Sequence, residues 1–226
     1  MSKTIFITGA TSGFGKATAV LFAKNGHNLI ITGRRNDRLE VLTKELTSNH
    51  NIDVTPLCFD VRNNNEVVQA INGLVNKNID VLVNNAGLAS GLSKIQNGSL
   101  NDWEKMIDTN IKGLLYVSKT VMPLMIKNKK GHIINIGSTA GKEVYQNGNV
   151  YCASKHAVDA ISKSMRIDLL EHGIKVTQVC PGAAETEFSE VRLHGDKEKA
   201  KQVYNGYQPM SAEDVASVIY YTTTLP

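Results

Sequence analysis

Tyr151 and Lys155 stand four residues apart in Tyr151-Cys152-Ala153-Ser154-Lys155. On a helix that spacing puts a phenol and an ammonium on one face, one turn apart. A free phenol has a pKa of about 10 and is a poor acid or base at neutral pH. A neighbouring ammonium favours the phenolate and turns the phenol into a usable general acid/base. Tyr-x-x-x-Lys is by itself a common surface pair. It gains weight from Ser138, which follows the apolar run His132–Ile136 and one glycine. Tyr145 is a rival phenol, but Asn149 stands where its cation would have to be.

A second group of residues suits a phosphate. Thr8-Gly9-Ala10-Thr11-Ser12-Gly13-Phe14-Gly15 follows an apolar run and precedes a helical pattern. The glycines let the backbone turn sharply and approach a pyrophosphate, while the helix N-terminus offers unpaired N–H donors. A lone glycine-rich turn is weak evidence, and the strand before it and helix after it make it a dinucleotide site. The next apolar run ends in Thr32-Gly33-Arg34-Arg35. An NAD site asks for an acid at that strand end to bond the ribose 2′-hydroxyl. Here two guanidiniums follow instead, able to clamp a 2′-phosphate, so the charge favours NADPH over NADH. The alternatives are a solvated helix start, or a ribose contact from Asp37.

Such groups need a scaffold with its strand ends on one side. Apolar, β-branched runs at Thr4–Ile7, Leu29–Thr32, Val54–Phe59, Val81–Val83, His132–Ile136 and Lys175–Val179 alternate with helical patterns. Near-continuous apolar runs suit a parallel sheet covered on both faces. The reading is an α/β, single-domain, Rossmann-type doubly wound parallel sheet over residues 1–226, with helices on both faces and ligand at the strands' C-terminal ends. Ser99 with Asp102, Asn63 with Glu66, and Ser211 with Asp214 are spaced as helix-start capping boxes.

Composition agrees with this and excludes other classes. The 226 residues are 42% hydrophobic and 20% charged, with Lys+Arg 25 against Asp+Glu 21. A net charge of +4 is too weak and dispersed to argue for nucleic acid. No apolar run approaches the roughly 18–20 residues of a membrane helix. Cys58, Cys152 and Cys180 cannot all pair, which suggests a reducing, cytoplasmic setting. Cys152 is expected to be a buried, inert thiol. The histidines show no metal-ligand spacing, and no metal is expected.

Taken together, Thr8-Gly9-x-x-x-Gly13-x-Gly15, Asn84-Asn85-Ala86-Gly87, Asn110, Ser138, Tyr151-x-x-x-Lys155 and Pro181-Gly182-x-x-x-Thr186 resemble the short-chain dehydrogenase/reductase family over nearly the whole chain. Within it, Thr32–Arg35, Met106–Asn110, Gly131–Gly141 and Phe188–Arg192 are similar to bacterial NADP-dependent 3-hydroxy acid (serine or allo-threonine) dehydrogenases. The resemblance implies a catalytic set of Asn110, Ser138, Tyr151 and Lys155. Tyr151 would be the acid/base. Lys155 would lower its pKa and bond the nicotinamide ribose, Ser138 would bond the substrate oxygen, and Asn110 would organise a proton-relaying water chain. Gly9, Thr11, Ser12, Gly13, Phe14, Gly15, Arg34, Arg35, Asp60, Val61, Asn85, Tyr151, Lys155, Pro181, Gly182 and Thr186 would bind NADP(H). Each of these residues alone also has a plain structural reading, as a turn, kink or Asx-turn former.

Substrate choice is expected from loops at about 88–97, 143–149 and 183–196, which are poor in large aromatics. The expected substrate is a small alcohol or carbonyl bound by Ser138, Tyr151 and Arg192. Arg192 is either the anchor of its carboxylate or a solvated helix-face residue beside Glu190. The alternatives are a general small aldehyde/ketone reductase and an NADPH-sensing protein without turnover. The resemblance also implies a homo-oligomer (tetramer or dimer) paired through helices at about 102–127 and 150–171. The resemblance also implies a last strand beyond Pro226, so either the sequence is truncated there or the sheet is expected to end one strand early. Its absence would leave an exposed edge near Lys175–Val179 and a weaker tetramer.

Overall fold

A computed structural model describes residues 2–226. Six strands form one sheet: β1 (Thr4–Ile7), β2 (Asn28–Gly33), β3 (Val54–Cys58), β4 (Val81–Asn84), β5 (Gly131–Ile136) and β6 (Ile174–Val179). All pairings are parallel, in the order β3-β2-β1-β4-β5-β6. The chain starts at the centre, runs outward to β3, then returns across β1 and runs outward to β6. The reversal between β1 and β4 opens a crevice at their C-terminal ends, where a doubly wound sheet takes its ligand. Pro56, which has no N–H to give a ladder, sits in the edge strand β3.

Alternation along the strands divides the core into two layers. Ile5, Ile7, Leu29, Ile31, Val81, Val83, Ile134 and Ile136 face α1 (Gly13–Lys24), α2 (Asn36–Asn49) and, near the C-terminus, the helix Ala212–Thr222. Phe6, Ile30, Leu82 and Ile133 face the other way, onto α3 (Asn64–Asn72) and the long helices described next. Nearly all of these strand side chains are at most 3% exposed. At about 25 cal/mol per Å² of apolar surface removed from water, that burial is the main term favouring the fold.

Residues 100–128 form one helical rod of three parts: α4 (Leu100–Ile107), a π turn over Asp108–Gly113, and α5 (Leu114–Asn128). It lies beside α6 (Asn149–Asp168). Short helices α7 (Phe188–Arg192) and α8 (Lys197–Gln202) follow β6, and α9 (Ala212–Thr222) closes the described chain. No helix among the described residues is long and apolar enough to cross a membrane.

The three expected caps differ in detail. Ser211 and Asp214 make the complete reciprocal box. Asn63 accepts from the N–H groups of Asn65 and Glu66, whereas Glu66 turns to the N–H of Asp60. Ser99 accepts from the Asp102 N–H, but the Asp102 carboxylate turns inward to Ser90 rather than back to Ser99. A buried hydroxyl competes for it better than an exposed backbone N–H.

Candidate active site

The strand ends open onto one cavity of about 550 Å³. Of the residues expected around a dinucleotide, Gly9, Thr11, Ser12, Gly13, Phe14, Arg34, Arg35, Asp60, Val61, Asn85, Tyr151, Lys155, Pro181, Gly182 and Thr186 line it. Ser138 and Arg192 line it too. Two expected residues do not. Gly15 lies beneath the loop and Asn110 is buried behind it.

At the phosphate end, the chain leaves β1 through Gly9 at φ +67°, and α1 begins at Gly13. A Cβ on Gly15 would overlap the Gly9 carbonyl, so the loop can fold onto the helix start only with glycine there. Thr8 Oγ1 accepts from the N–H groups of Asn85 (3.0 Å) and Ala86 (2.9 Å). The Asn85 amide donates to the carbonyls of Thr8 (2.8 Å) and Gly9 (3.1 Å). Asn85 therefore braces the glycine loop with its amide nitrogen as well as lining the cavity.

Arg35 reaches back over this loop, donating to Thr11 Oγ1 (3.0 Å) and Ser12 Oγ (3.0 Å) and pairing with Glu187 at 3.2 Å. Arg38 also holds Glu187, at 2.8 Å. Arg34 is mostly exposed and lies 3.8 Å from Asp60, which Arg62 also holds. Burial raises the Asp60 pKa, but hydrogen bonds and charge from Arg62 and the charge of Arg34 outweigh it and leave the carboxyl below its ordinary value. Asp37 lines no part of the cavity. A cradle of close-packed glycines beside two guanidiniums, with no acid at the end of β2, fits a pyrophosphate and a 2′-phosphate. Sequence reasoning missed Glu187. A pairing across 152 positions leaves no local signal.

At the other end, Tyr151 and Lys155 lie on α6, as the spacing requires. The Lys155 ammonium is buried, donates to the Ile136 carbonyl at 2.8 Å and lies 6.0 Å from the Tyr151 ring centroid. Burial lowers the Lys155 pKa to about 8. The expected depression of the phenol is not what the protein groups produce: burial pushes Tyr151 up to about 12, with Ser138's hydrogen bond and Arg192's charge pulling the other way. Desolvation of the phenolate exceeds these attractions.

Asn110 sits in the π turn of the long rod. Its side chain accepts from the Leu88 N–H (2.8 Å) and donates to the Leu88 carbonyl (2.8 Å) and Ser154 Oγ (3.0 Å). A π turn inserts one residue into the helical ladder and re-aims a side chain. Here it ties the segment after β4 to α6 beside Tyr151.

Arg192 does not pair with Glu190, nor with any carboxylate among the described residues. Its guanidinium carbon lies 5.3 Å from the Tyr145 ring centroid and 5.7 Å from that of Tyr151. Its Nε donates to the Gly91 carbonyl at 3.4 Å, while Nη2 is buried without a partner. Tyr145, the rival phenol, is part of this cluster, and burial raises its pKa as well. Cys152 is fully buried, and all three cysteines are free. No cluster of three or more possible metal ligands occurs among the described residues.

The chain matches the family model for short chain dehydrogenases over residues 3–197. It is 45% identical over 225 residues to the NADP-dependent 3-hydroxy acid dehydrogenase YdfG of Salmonella typhi, covering 98% of this chain and 89% of the relative. It is 45% identical to sulfoacetaldehyde reductase 2 of Chromohalobacter salexigens, covering 100% of this chain and 90% of that one. Among solved structures, the closed form of a serine dehydrogenase complexed with NADP+ superposes with a TM-score of 0.93 at 43% identity, covering 99% of this chain and 90% of the other. This chain belongs to the short-chain dehydrogenase family.

Proposed function

We propose that this protein is an NADP-dependent oxidoreductase that interconverts a secondary alcohol and a carbonyl on a small hydroxy acid of the serine or allo-threonine type. The observation that carries the substrate class is Arg192, a guanidinium on the cavity wall beside Tyr151 with no carboxylate partner in the chain. Leaving a buried donor unpaired costs about 1–3 kcal/mol, more for a charged group. A carboxylate from the substrate would recover that cost bidentately. The names of the YdfG and serine dehydrogenase relatives support the same reading.

Nicotinamide, when bound, supplies the hydride acceptor or donor. The protein supplies the rest. Gly9, Thr11, Ser12, Gly13, Phe14 and Gly15 would form the pyrophosphate turn, Arg34 and Arg35 would hold the 2′-phosphate, and Asp60, Val61 and Asn85 would border the adenosine. Pro181, Gly182 and Thr186 would border the nicotinamide end. Tyr151 removes the hydroxyl proton in oxidation and returns one to the carbonyl oxygen in reduction. The high pKa that burial gives it suits the donor role, and the positive charge that comes with an oxidised cofactor favours the phenolate. Ser138 hydrogen-bonds the substrate oxygen. Lys155 would orient the ribose, and Asn110, tied to Leu88 and Ser154, would organise a water chain that returns protons to Lys155.

Sulfoacetaldehyde reductase 2, a relative at 45% identity, motivates a second reading as a reductase of small aldehydes or ketones. A sulfonate head group would use the same guanidinium. We place the protein in the cytoplasm, which suits three unpaired cysteines. We expect a homodimer or homotetramer paired along the α4–α5 rod and α6. Leu115 and Ile167 stand exposed on these elements.

Arg192→Ala tests the reading. Its KM for a small hydroxy acid rises at least about tenfold, the scale of a lost charge-assisted hydrogen bond, while turnover of a neutral secondary alcohol of the same size is kept. Equal loss on both substrates would remove the anchor.

A further inference from the structure

Asp102 is 8% exposed and lies in the first turn of α4. Its Oδ1 accepts from Ser90 Oγ at 2.7 Å, and its Oδ2 lies 3.3 Å from His194 Nε2. Lys105 is 3.9 Å from Oδ1 and half exposed. The carboxylate thus touches two segments at once, the loop after β4 and the end of α7. Between its two partners, Gly91 and Arg192 exchange a pair of hydrogen bonds: the Gly91 N–H donates to the Arg192 carbonyl (2.8 Å), and Arg192 Nε donates to the Gly91 carbonyl (3.4 Å). Gly91 has φ +74°, and a Cβ there would stand 3.0 Å from Asp102 Oδ2.

His194 carries a cost that its contact with Asp102 accounts for. It occupies the position just past the C-cap of α7, at φ +55°, where glycine is the usual residue. A non-glycine residue in this conformation is strained by roughly 1–2 kcal/mol. Glycine would turn the chain more cheaply, but it would bring no imidazole to Asp102. Strain held at such a place points to a role outside the turn itself.

We propose that Asp102 and His194 are positioning residues that fix the Arg192 guanidinium over the substrate site by pinning the end of α7 to the loop after β4. This rests on the anchoring role of Arg192 proposed above. The carboxylate sits where the N-terminal dipole of α4 favours negative charge, so it is a fixed post. His194 and Ser90 are tied to it from opposite segments, and the Gly91–Arg192 pair lies between them. Without the post, Arg192 keeps its own two bonds to Gly91 but the pair can move together, and a bidentate contact loses its alignment.

The test uses His194→Gly and Asp102→Asn, with steady-state kinetics on a small hydroxy acid and on a neutral secondary alcohol of the same size. His194→Gly removes the imidazole and relieves the strained backbone, so its Tm is unchanged or higher. Both variants raise KM for the hydroxy acid about tenfold, the scale of a lost hydrogen bond to a charged group. Their kcat and their kinetics on the neutral alcohol stay within about twofold of wild type. A residue that only supported the fold would lower Tm and affect both substrates together. An unchanged hydroxy-acid KM in both variants overturns the proposal, as does an equal rise on both substrates. Arg192→Ala, run in parallel, separates the failures. If it alone raises the hydroxy-acid KM, the anchor stands and the post is wrong. If it leaves that KM unchanged, anchor and post fall together.

Discussion

At the scale of single residues, the chemistry turns on which interaction wins at Tyr151. Burial pushes its phenol up to about 12, against pulls from Ser138 and Arg192. Lys155, itself lowered to about 8 by burial, is engaged with the Ile136 carbonyl. Such a phenol holds its proton at neutral pH until a cofactor charge favours the phenolate. Tyr151→Phe is therefore expected to lower kcat by at least about 10², the scale of lost acid/base catalysis, with NADPH affinity unchanged. Stopped-flow or steady-state rates with a fluorescence titration of NADPH check this; wild-type turnover by the variant would refute the assignment. Tyr151, Lys155 and Ser138 were legible because helix and strand periods convert their spacing into position. Arg192 was legible only as a choice between anchor and solvated residue. Glu187, Asp102 and His194 were not legible as partners, because their contacts are made between segments far apart in sequence.

At the scale of elements, all six strands stand where apolar, β-branched runs place them, with ends shifted by at most one residue. Both faces of the sheet are covered, so the signal is continuous and strong. The π turn at Asp108–Gly113 was not legible: apolar spacing is helical on both sides of it, and one extra residue leaves no mark in composition. Element packing also sets a pH limit. His132 of β5 is 5% exposed, bonds Thr177 Oγ1 at 2.8 Å, and is held by burial at a pKa of about 4 against an ordinary 6.5. The folded protein excludes a proton that the unfolded chain binds, so its contribution is fully present above 6.5, is lost progressively as pH falls below 6.5, and is gone once pH has fallen through 4. Urea unfolding should show about 2 kcal/mol of stability lost through this group between pH 7 and about pH 5. His132→Gln keeps a partner for Thr177 and should remove that part of the slope. An identical slope in wild type and variant would contradict it.

At the scale of the molecule, the winding of the sheet brings a phosphate cradle, an acid/base helix and a cationic wall to one crevice. The doubly wound fold was legible from alternation alone. The depth of that crevice was not, since it depends on α7 and on Val203 and Tyr204, just past α8, folding back over it. β6 is an edge of the sheet, as is β3. The two guanidiniums after β2 face a cavity with no acid at the strand end. Initial rates at 340 nm, with NADP+ or NAD+ and with a small 3-hydroxy acid or a neutral alcohol of equal size, test the whole account most directly. It predicts that kcat/KM with NADP+ exceeds that with NAD+ by at least about tenfold, the worth of one charge-assisted contact. It also predicts that the hydroxy acid is preferred over the neutral alcohol. Equal rates with both cofactors and no preference for the acid would contradict it.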